Sequence, residues 1–439
     1  MRSFLLAATL LAAPVAAQEH VTVIHAGRLI ARADRGAEGP ATITVRNGRI
    51  ERVERGIQPP PAGARLIDLS GMTVLPGLID SHVHLDSDRA GNEGLLAGFT
   101  ESTPLRAYEA QMNAKKTLDA GFTTVRNLGD RDGVTLALRD AIARGWVMGP
   151  RIVDAGTSIS TTSGHMDGRL GLNDDVAEAM VHTDNLCDGV EACRTAVRRQ
   201  VGRGADVIKI ATTAGVNSVI AAGLGQQMFD DEARAIVDTA KLYGKKVAVH
   251  AHGASGIALA LRAGADSIEH GTLLGDEEVA LFRKTGAYYV PTLSTVNGYK
   301  ERLARDPNAY SPAVLEKIKW RIGITGKALE RAVKGGVKIA FGTDAGVSKH
   351  GRNADEFELM VSHGMTPRTA LAAATTGAAD LLGLADQIGA IEPGKAADVI
   401  AVAGDPLSDV TVLKRVAFVM QNGDVAKHAG GVDGSAARP

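Results

Sequence analysis

The sequence of 439 residues lacks several features that define common classes of protein. Basic residues (49 Lys and Arg) and acidic residues (50 Asp and Glu) almost balance, and no run of basic residues occurs, which argues against a nucleic-acid partner. Aromatic residues make up only 4% of the chain. Beyond residue 17, no stretch is apolar enough to cross a bilayer. These absences predict a soluble protein that binds neither nucleic acid nor membrane.

Cysteine is also scarce, with only Cys187 and Cys193 in the chain. Without a second pair, these two residues do not form a zinc knuckle. In an oxidising compartment they would close a small loop as a disulfide. Otherwise they are two free thiols near the start of a helix, and the sequence leaves both interpretations open.

The first 17 residues have the pattern of a secretory signal peptide. Arg2 supplies an early positive charge, an apolar run extends from Phe4 to Val15, and Ala17 precedes the polar Gln18. The run is short for a membrane span and lacks the amphipathic pattern of an ordinary buried helix. We therefore expect cleavage after Ala17 and a secreted or periplasmic mature protein.

Short alternating strands occur at both ends of the mature chain. Strand patterns at 41–46 and 49–53 flank Asn47-Gly48, and a similar strand at 416–420 precedes Asn422-Gly423. They predict one small β-sandwich module built from residues 18–75 and 391–429. The Gly/Ala-rich residues 430–439 are expected to form a flexible tail.

Between the two halves of this module, residues 76–390 alternate short apolar strands with helical patterns. The predicted strands are 77–82, 123–128, 151–155, 207–211, 247–250, 267–270, 288–292 and 337–342, and the clearest helical segments are 189–203, 230–243, 254–263 and 313–334. Eight such units predict an α/β fold, a (β/α)8 TIM barrel. A doubly wound sheet is the alternative, but the phosphate-binding glycine loop with which it usually begins is absent.

Side chains capable of binding metal lie at the ends of these predicted strands. Two histidines spaced i, i+2 on an extended segment point the same way, so both can bind one ion. In a barrel the strand ends meet at one rim, where active sites form. The six residues are His82, His84, Lys209, His250, His270 and Asp344.

Lys209 is unusual because it lies inside the apolar strand Val-Ile-Lys-Ile. Burial of a lone ammonium group is costly, so this lysine must be paired or chemically altered. Any one of the six residues alone could be structural. Their occurrence together at strand ends argues for a functional site.

This set of residues resembles the amidohydrolase superfamily in its binuclear metal form. The resemblance extends over nearly the whole mature chain and includes the segments at 74–80 and 391–399. Within the superfamily, the segments at 249–253, 267–271 and 163–165 are similar to the Xaa-Pro/Xaa-Arg dipeptidase and ochratoxinase group. Ser163-Gly164 replaces the usual Gly-Gly, and the loop at 215–225 departs from the common dipeptidase loop, which leaves substrate choice open.

The resemblance implies a role for each residue at the rim. His82, His84 and Asp344 would bind the first of two divalent cations, and His250 and His270 the second. Lys209 would be carboxylated and bridge the ions. Zinc suits such imidazole and oxygen ligands, although manganese or cobalt would also serve.

A hydroxide bridging the two metals would then attack the amide carbonyl, with Asp344 as both ligand and proton shuttle. His252 and His165 are expected beside the metals or the substrate, and either Tyr288 or Tyr289 is expected to line the pocket. Homo-oligomers are common in the family.

The expected function is therefore the release of a C-terminal amino acid from a dipeptide or N-acyl amino acid, with ochratoxin A among the suggested substrates. Cyclic amide hydrolysis or deamination on the same barrel is the alternative. Lys209 argues against mononuclear deaminases, which lack a carbamate lysine, but not against cyclic amidohydrolases. The third interpretation, a non-enzymatic scaffold, is disfavoured because every expected ligand type is present.

Overall fold

The computed structural model describes residues 21–219 and 224–429. The predicted signal peptide and the predicted tail lie outside the described residues. The described strands are β1 (Val21–Arg32), β2 (Gly36–Glu38), β3 (Ala41–Arg46), β4 (Arg49–Arg55), β5 (Arg65–Pro76), β6 (Leu78–Val83), β7 (Phe122–Asn127), β8 (Arg151–Asp154), β9 (Val207–Ala211), β10 (Lys246–Ala251), β11 (Ser267–His270), β12 (Tyr288–Val290), β13 (Lys338–Ile339), β14 (Val399–Val402), β15 (Val416–Gln421) and β16 (Asp424–His428).

The helices follow β6 to β13, the strands of the two parallel sheets. They are α1 (Asn92–Thr100), α2 (Thr103–Asp119), α3 (Val134–Ala143), α4 (Asp174–Met180), α5 (Val190–Gly202), α6 (Asp230–Leu242), α7 (Ala254–Ala263), α8 (Asp276–Thr285), α9 (Thr295–Arg305), α10 (Pro312–Gly323), α11 (Lys327–Lys334), α12 (Asp355–Ser362), α13 (Pro367–Ala372) and α14 (Ala378–Leu382). None of the described helices is both long and apolar enough to cross a membrane.

The two ends of the chain build one continuous mixed sheet. Its strand order is β16-β15-β14-β5-β1-β3-β4, and β2 also pairs with β1. The predicted hairpin at Asn47-Gly48 is present, with the positive φ values that such a tight turn needs (50° and 78°), and Asn422-Gly423 joins β15 to β16 in a second hairpin. The sheet returns on itself, because the amide of Ile50 donates to the carbonyl of Lys395. One apolar core joins both halves, so the module is a single curled sheet and not two separate ones.

Each of the eight predicted central segments contains a strand. β6, β7 and β8 form one parallel sheet, and β9 to β13 form a second one in chain order. Backbone hydrogen bonds connect the two sheets at both seams, from Ser81 N to the Phe341 carbonyl and from Ile159 N to the Lys209 carbonyl, each 2.8 Å long. All eight parallel strands therefore direct their carboxyl ends to the same side of the molecule.

Two details differ from, or add to, the sequence-based expectations. The single helix predicted over 313–334 is two helices, because the chain breaks between α10 and α11 at Gly326, which has a φ of 84°. A side chain there would overlap the His363 ring, so only glycine fits. Cys187 and Cys193 form a disulfide, which resolves the choice that the sequence left open.

Candidate active site

All six predicted metal ligands, together with His165 and His252, line one cavity at the carboxyl ends of the parallel strands. The cavity has a volume of about 190 Å³. Because successive side chains of a strand alternate, His82 at the end of β6 and His84 just beyond it face the cavity while Val83 packs in the core. The fold thus brings together residues that are up to 262 positions apart in the sequence, from His82 to Asp344.

One group of three ligands is already arranged around a common point. Possible ligand atoms of His82, His84 and Asp344 all lie within 4.8 Å of one another. The Asp344 Oδ1 atom is 3.5 Å from the Nε2 atom of His82 and 3.4 Å from that of His84. Two imidazole nitrogens and a carboxylate oxygen suit a divalent transition metal such as zinc.

The buried carboxylate of Asp80 holds the two ligand segments of this group together. It accepts hydrogen bonds from the His82 amide (3.1 Å) and, across the seam between β6 and β13, from the Thr343 amide (3.1 Å) and hydroxyl (2.7 Å). Burial raises the pKa of Asp80 to about 6. Asp344 itself has a φ of 57°, a strained conformation that such fixed neighbours can maintain.

Hydrogen bonds to the Nδ1 atoms fix the orientation of three histidine rings. The Nδ1 atom of His82 lies 2.9 Å from the Glu269 carboxylate, and that of His84 lies 3.0 Å from the Gly129 carbonyl. The Nδ1 atom of His270 lies 2.7 Å from the Thr292 hydroxyl. Since carboxylate and carbonyl oxygens accept, the first two rings carry their proton on Nδ1. Their Nε2 atoms are therefore free to bind metal, as in many metal sites.

Glu269 is the central residue of this supporting network. Its second oxygen accepts from Arg126 at 2.8 Å, and both side chains are almost completely buried. The Arg126 guanidinium also donates to the Ser81 carbonyl, at 2.6 Å. Glu269 was not among the residues predicted from the sequence, although a glutamate inside the apolar strand Ser-Ile-Glu-His is itself an unusual feature.

We expect Glu269→Gln to weaken metal binding by about 10–100-fold, because the amide is a poorer acceptor for the His82 Nδ1 proton. Competition with a chromogenic chelator would measure the dissociation constants. Glu232→Gln is the matched control, since Glu232 is also buried but lies away from the cavity, where it caps α6. Equal metal affinities in the two variants would contradict a role for Glu269 in orienting His82.

The remaining predicted residues lie on the other side of the cavity. The rings of His250 and His270 are 4.6 Å apart, and His252 stacks on His270 at 5.0 Å. His165 stacks on His250 at 4.1 Å and fits there because Gly215 has no side chain, since a Cβ atom would lie 2.1 Å from the His165 ring. Among the described residues, the buried Nδ1 atom of His165 has no hydrogen-bond partner.

Burial makes the neutral form of these imidazoles strongly preferred. It lowers the pKa of His165 to about 3, with the positive charge of Lys209 adding to the effect. The pKa values of His82, His250, His252 and His270 are also lowered far below the usual range, chiefly by burial. Neutral imidazole is the form that binds metal, so the electrostatics of the cavity fit the predicted ligands.

Lys209 is fully buried beside them. Burial lowers the pKa of its ammonium group to about 8, although the negative charges of Glu269 and Asp344 oppose this shift. In the described part of the chain no carboxylate lies within 4 Å of its nitrogen as a salt-bridge partner. A buried lysine with a lowered pKa that shares a cavity with five histidines and an aspartate is unusual for a purely structural residue.

The cavity wall also contains residues that were not anticipated from the sequence. Tyr299 on α9 and Arg321 on α10 line it, whereas the predicted Tyr288 and Tyr289 do not. The hydroxyl of Tyr289 instead donates to the His270 carbonyl at 3.0 Å, and that of Tyr288 donates to Asp380. The prediction for this tyrosine pair was therefore wrong, because Tyr289 is buried against Phe282 and Tyr288 lies beside Lys338 and Asp380.

Comparison with known proteins places these observations in a family. The model of the amidohydrolase family matches residues 73–426. Ochratoxinase from Aspergillus niger is 32% identical over 374 residues, which cover 81% of this chain and 76% of that protein. A Xaa-Pro dipeptidase structure with methionine bound in its active site is 40% identical, with a TM-score of 0.87 over 92% of this chain and 99% of the other. A prolidase complexed with N-methylphosphonate-L-proline is 32% identical, with a TM-score of 0.82 over 93% of this chain and 100% of the other.

An α/β fold that gathers histidines, a lysine and an aspartate at the carboxyl ends of its parallel strands defines a class of hydrolases that act on amide bonds. The chain belongs to the amidohydrolase family and is a hydrolase of this class. The resemblance to the dipeptidase and ochratoxinase group that the sequence motifs indicated is confirmed.

Proposed function

We propose that this protein is an exported binuclear metallohydrolase, a closed (β/α)8 barrel that releases the C-terminal amino acid from a dipeptide or an N-acyl amino acid. The observation that carries the proposal is the composition of the cavity. Six metal-binding side chains share it with Arg321, a buried guanidinium without a carboxylate partner within 4 Å in the described residues. The names of the relatives, a dipeptidase, a prolidase and an ochratoxinase, support the same reaction class.

The ligand set divides into two groups in this proposal. His82, His84 and Asp344 would bind one divalent cation, His250 and His270 the other, and Lys209 would bridge them as a carbamate. A neutral amine is the form that reacts with carbon dioxide, so the lowered pKa of Lys209 favours the modification. When bound, the two cations, for which zinc is our first choice, would supply polarisation of the carbonyl and activation of water.

The side chains of the chain itself would then move the proton and hold the substrate. Asp344 lies between the two histidines of the first group, where its carboxylate would accept a proton from water and deliver it to the departing amine. Burial raises the pKa of this carboxyl, which favours its transient protonation. His165, with its unpartnered Nδ1 atom, and His252 would contact the substrate carbonyl or its neighbours.

Arg321 is the proposed partner of the substrate carboxylate. Only 3% of its surface is exposed, and its guanidinium makes one hydrogen bond to the described residues, to the Thr325 hydroxyl at 3.2 Å. A buried cation without a counter-charge is costly, so an anionic ligand would be bound strongly there. Lys317, one helical turn away, adds positive charge while its ammonium donates to the Gly215 carbonyl at 2.9 Å.

The rest of the cavity favours an apolar side chain on the substrate. Met166, Val216, Val347 and the ring of Tyr299 line it, and no acidic residue other than Asp344 does so in the described parts of the chain. A cavity of about 190 Å³ has room for a small substrate. We therefore expect medium-sized apolar or aromatic amino acids to be released best.

A panel of matched substrates would test this function. Residues 18–439 would be expressed with zinc and bicarbonate, and free amino acid release would be followed by mass spectrometry. The panel would contain Xaa-Pro, Xaa-Arg, N-acyl-Phe and ochratoxin A, the C-terminal amides of these compounds, and hydantoin-like rings. Release from the free acids alone is expected. Equal cleavage of acids and amides would refute the proposal, and ring opening alone would move the assignment to cyclic amide hydrolysis.

In the same assay we expect Arg321→Met to lower kcat/KM for the free acids by about 30–4000-fold, because truncating one partner of a buried charge pair costs about 2–5 kcal/mol. The loss should be much smaller for the amides, which have no carboxylate. Lys319→Met, on the exposed side of the same helix, is the control. An equal loss for acids and amides would show that Arg321 does not bind the carboxylate.

Export is part of the proposal as well. Its basis is the pattern of residues 1–17, and the Cys187–Cys193 disulfide is compatible with an oxidising compartment. The periplasm or the extracellular medium would be the site of action. Fractionation of the native host, with detection of a mature N-terminus at Gln18, would test this directly.

A further inference from the structure

The loop that carries His165 lies between β8 and α4 and is called the arm here (residues 158–167). His165 and the next residue, Met166, both line the cavity. The arm belongs to none of the described helices and strands. Its shape, and with it the position of the His165 ring, therefore depends on hydrogen bonds to other segments.

A neighbouring segment, residues 185–188, holds the two ends of the arm together and is called the brace. The carboxamide of Asn185 donates to the Ser158 carbonyl at 2.9 Å and to the Met166 carbonyl at 3.1 Å. Only 6% of the surface of Asn185 is exposed, so water does not easily replace these bonds. One buried side chain thus sets the distance between the start of the arm and the residue next to His165.

The rest of the brace pairs with the middle of the arm. The amide of Cys187 donates to the Ser160 carbonyl at 2.8 Å. The Asp188 carboxylate accepts from both the amide (3.0 Å) and the hydroxyl (2.6 Å) of Thr162. The brace therefore contacts the arm at its start, its middle and its end.

The Cys187–Cys193 disulfide anchors the brace to a helix. Cys193 lies in the first turn of α5, and both cysteines are almost completely buried in the large apolar core. The Glu232 carboxylate of α6 adds a second anchor, since it accepts from the Gly189 amide at 2.6 Å. The brace is thereby fixed relative to the helices that cover the parallel strands.

The arm has a further support on its other side, at Gln227. The side-chain oxygen of Gln227 accepts from the His165 amide at 3.1 Å, and its carbonyl accepts from the Thr161 hydroxyl at 3.0 Å. Loss of the brace alone should therefore shift the arm without unfolding it.

We infer that the brace positions His165 against the substrate, with Asn185 as the positioning residue and the disulfide as its anchor. The inference rests on the proposed function, in which His165 contacts the substrate. The hydrogen bonds of the brace described above end on the arm, and none of them reaches one of the six candidate metal ligands. The brace would thus control substrate placement separately from metal binding.

Hydrogen–deuterium exchange followed by mass spectrometry would test the brace without relying on activity. We expect Asn185→Ala and the double variant Cys187→Ala/Cys193→Ala to raise the exchange rate of peptides within the arm by about 5-fold or more. The double variant removes both sulfurs and so leaves no free thiol. Asn173→Ala is the control, because Asn173 caps α4 through the Asp175 amide and should leave the arm unchanged. Wild-type exchange of the arm in both brace variants would overturn the inference.

A double-mutant cycle with His165→Ala would test the link to the substrate. On the panel substrate that is hydrolysed fastest, we expect Asn185→Ala to lower kcat/KM by about 10–100-fold, the cost of misplacing a substrate-orienting group. In the His165→Ala background the same change should cost much less, because the brace acts through His165. Zinc content should stay at the wild-type value in each variant.

Two outcomes of the cycle would overturn the inference. An equal loss in both backgrounds would show that Asn185 supports the fold in general, and a loss of zinc in step with activity would show that it supports the metals. If the wild type hydrolyses no member of the panel, the proposed function fails, whereas the exchange rates still decide whether the brace fixes the arm.

Discussion

Lys209→Ala is expected to reduce hydrolysis by at least about 10³-fold, because the loss of the bridging ligand removes several kcal/mol of stabilisation at the metal centre. The same variant should purify with fewer than two metal ions per chain. Lys209 lines the same cavity as the five other candidate ligands and has no salt-bridge partner within 4 Å among the described residues. If its role is to become an anion, alanine removes both the charge and the bridge.

Three measurements separate this explanation from simple misfolding. A carbamate would give a ¹³C resonance after growth in labelled bicarbonate, and Lys209→Ala would lack it. Short carboxylic acids such as acetate or propionate should partly restore activity, since they can occupy the space left by the side chain. Lys246→Ala, at the opposite end of a neighbouring strand, is the control. A Lys209→Ala variant with two metals and full activity would refute the binuclear proposal.

The strand-end residues could be predicted from the sequence because their geometry is largely local. His250 ends an apolar run of strand residues, and His270 does the same on the next strand. In a parallel α/β fold, the end of a strand determines which rim a side chain joins, without knowledge of distant contacts. The structure accordingly places all six candidate ligands in one cavity.

The residues that were missed reach the cavity through packing between distant segments. Tyr299 and Arg321 lie on α9 and α10, in a long connection between β12 and β13, and an apolar cluster around Tyr310 and Ile318 orients both helices. Helix periodicity alone does not tell which face of such a helix meets the cavity. The break at Gly326 was missed for the same reason, since it depends on His363 from a later segment.

The terminal module illustrates a second limit. A hairpin was predicted from the Asn47-Gly48 turn, but β5 does not pair with a strand next to it in the sequence and was not recognised. It pairs in parallel with β1 and antiparallel with β14, so it joins the two halves of the chain into one sheet. Pairing between strands that are more than 300 residues apart is set by the shared apolar core, which the local pattern does not reveal.

Asp344→Asn is expected to lower kcat by about 10²–10⁴-fold, the range that general acid–base catalysis contributes, while changing KM little. Asparagine keeps an oxygen atom that can bind metal but does not accept a proton at neutral pH. The neighbours that position residue 344 act on its backbone and on Thr343, so the local structure should persist. Metal content should therefore fall less in this variant than in Lys209→Ala.

The pH profile distinguishes a proton shuttle from a mere ligand. In the wild type, burial raises the pKa of Asp344, so the active carboxylate form is lost as the pH falls through that raised value. The asparagine variant should lose this acidic limb and keep a low, flatter activity. Asp355→Asn is the control and should retain the wild-type profile. Asp355 is a buried aspartate at the start of α12 that pairs with Arg352 and Lys414. If Asp344→Asn keeps the acidic limb and loses activity only in proportion to its metal content, Asp344 binds metal without transferring the proton. Proton transfer would then be assigned to His252 or His165, which also line the cavity.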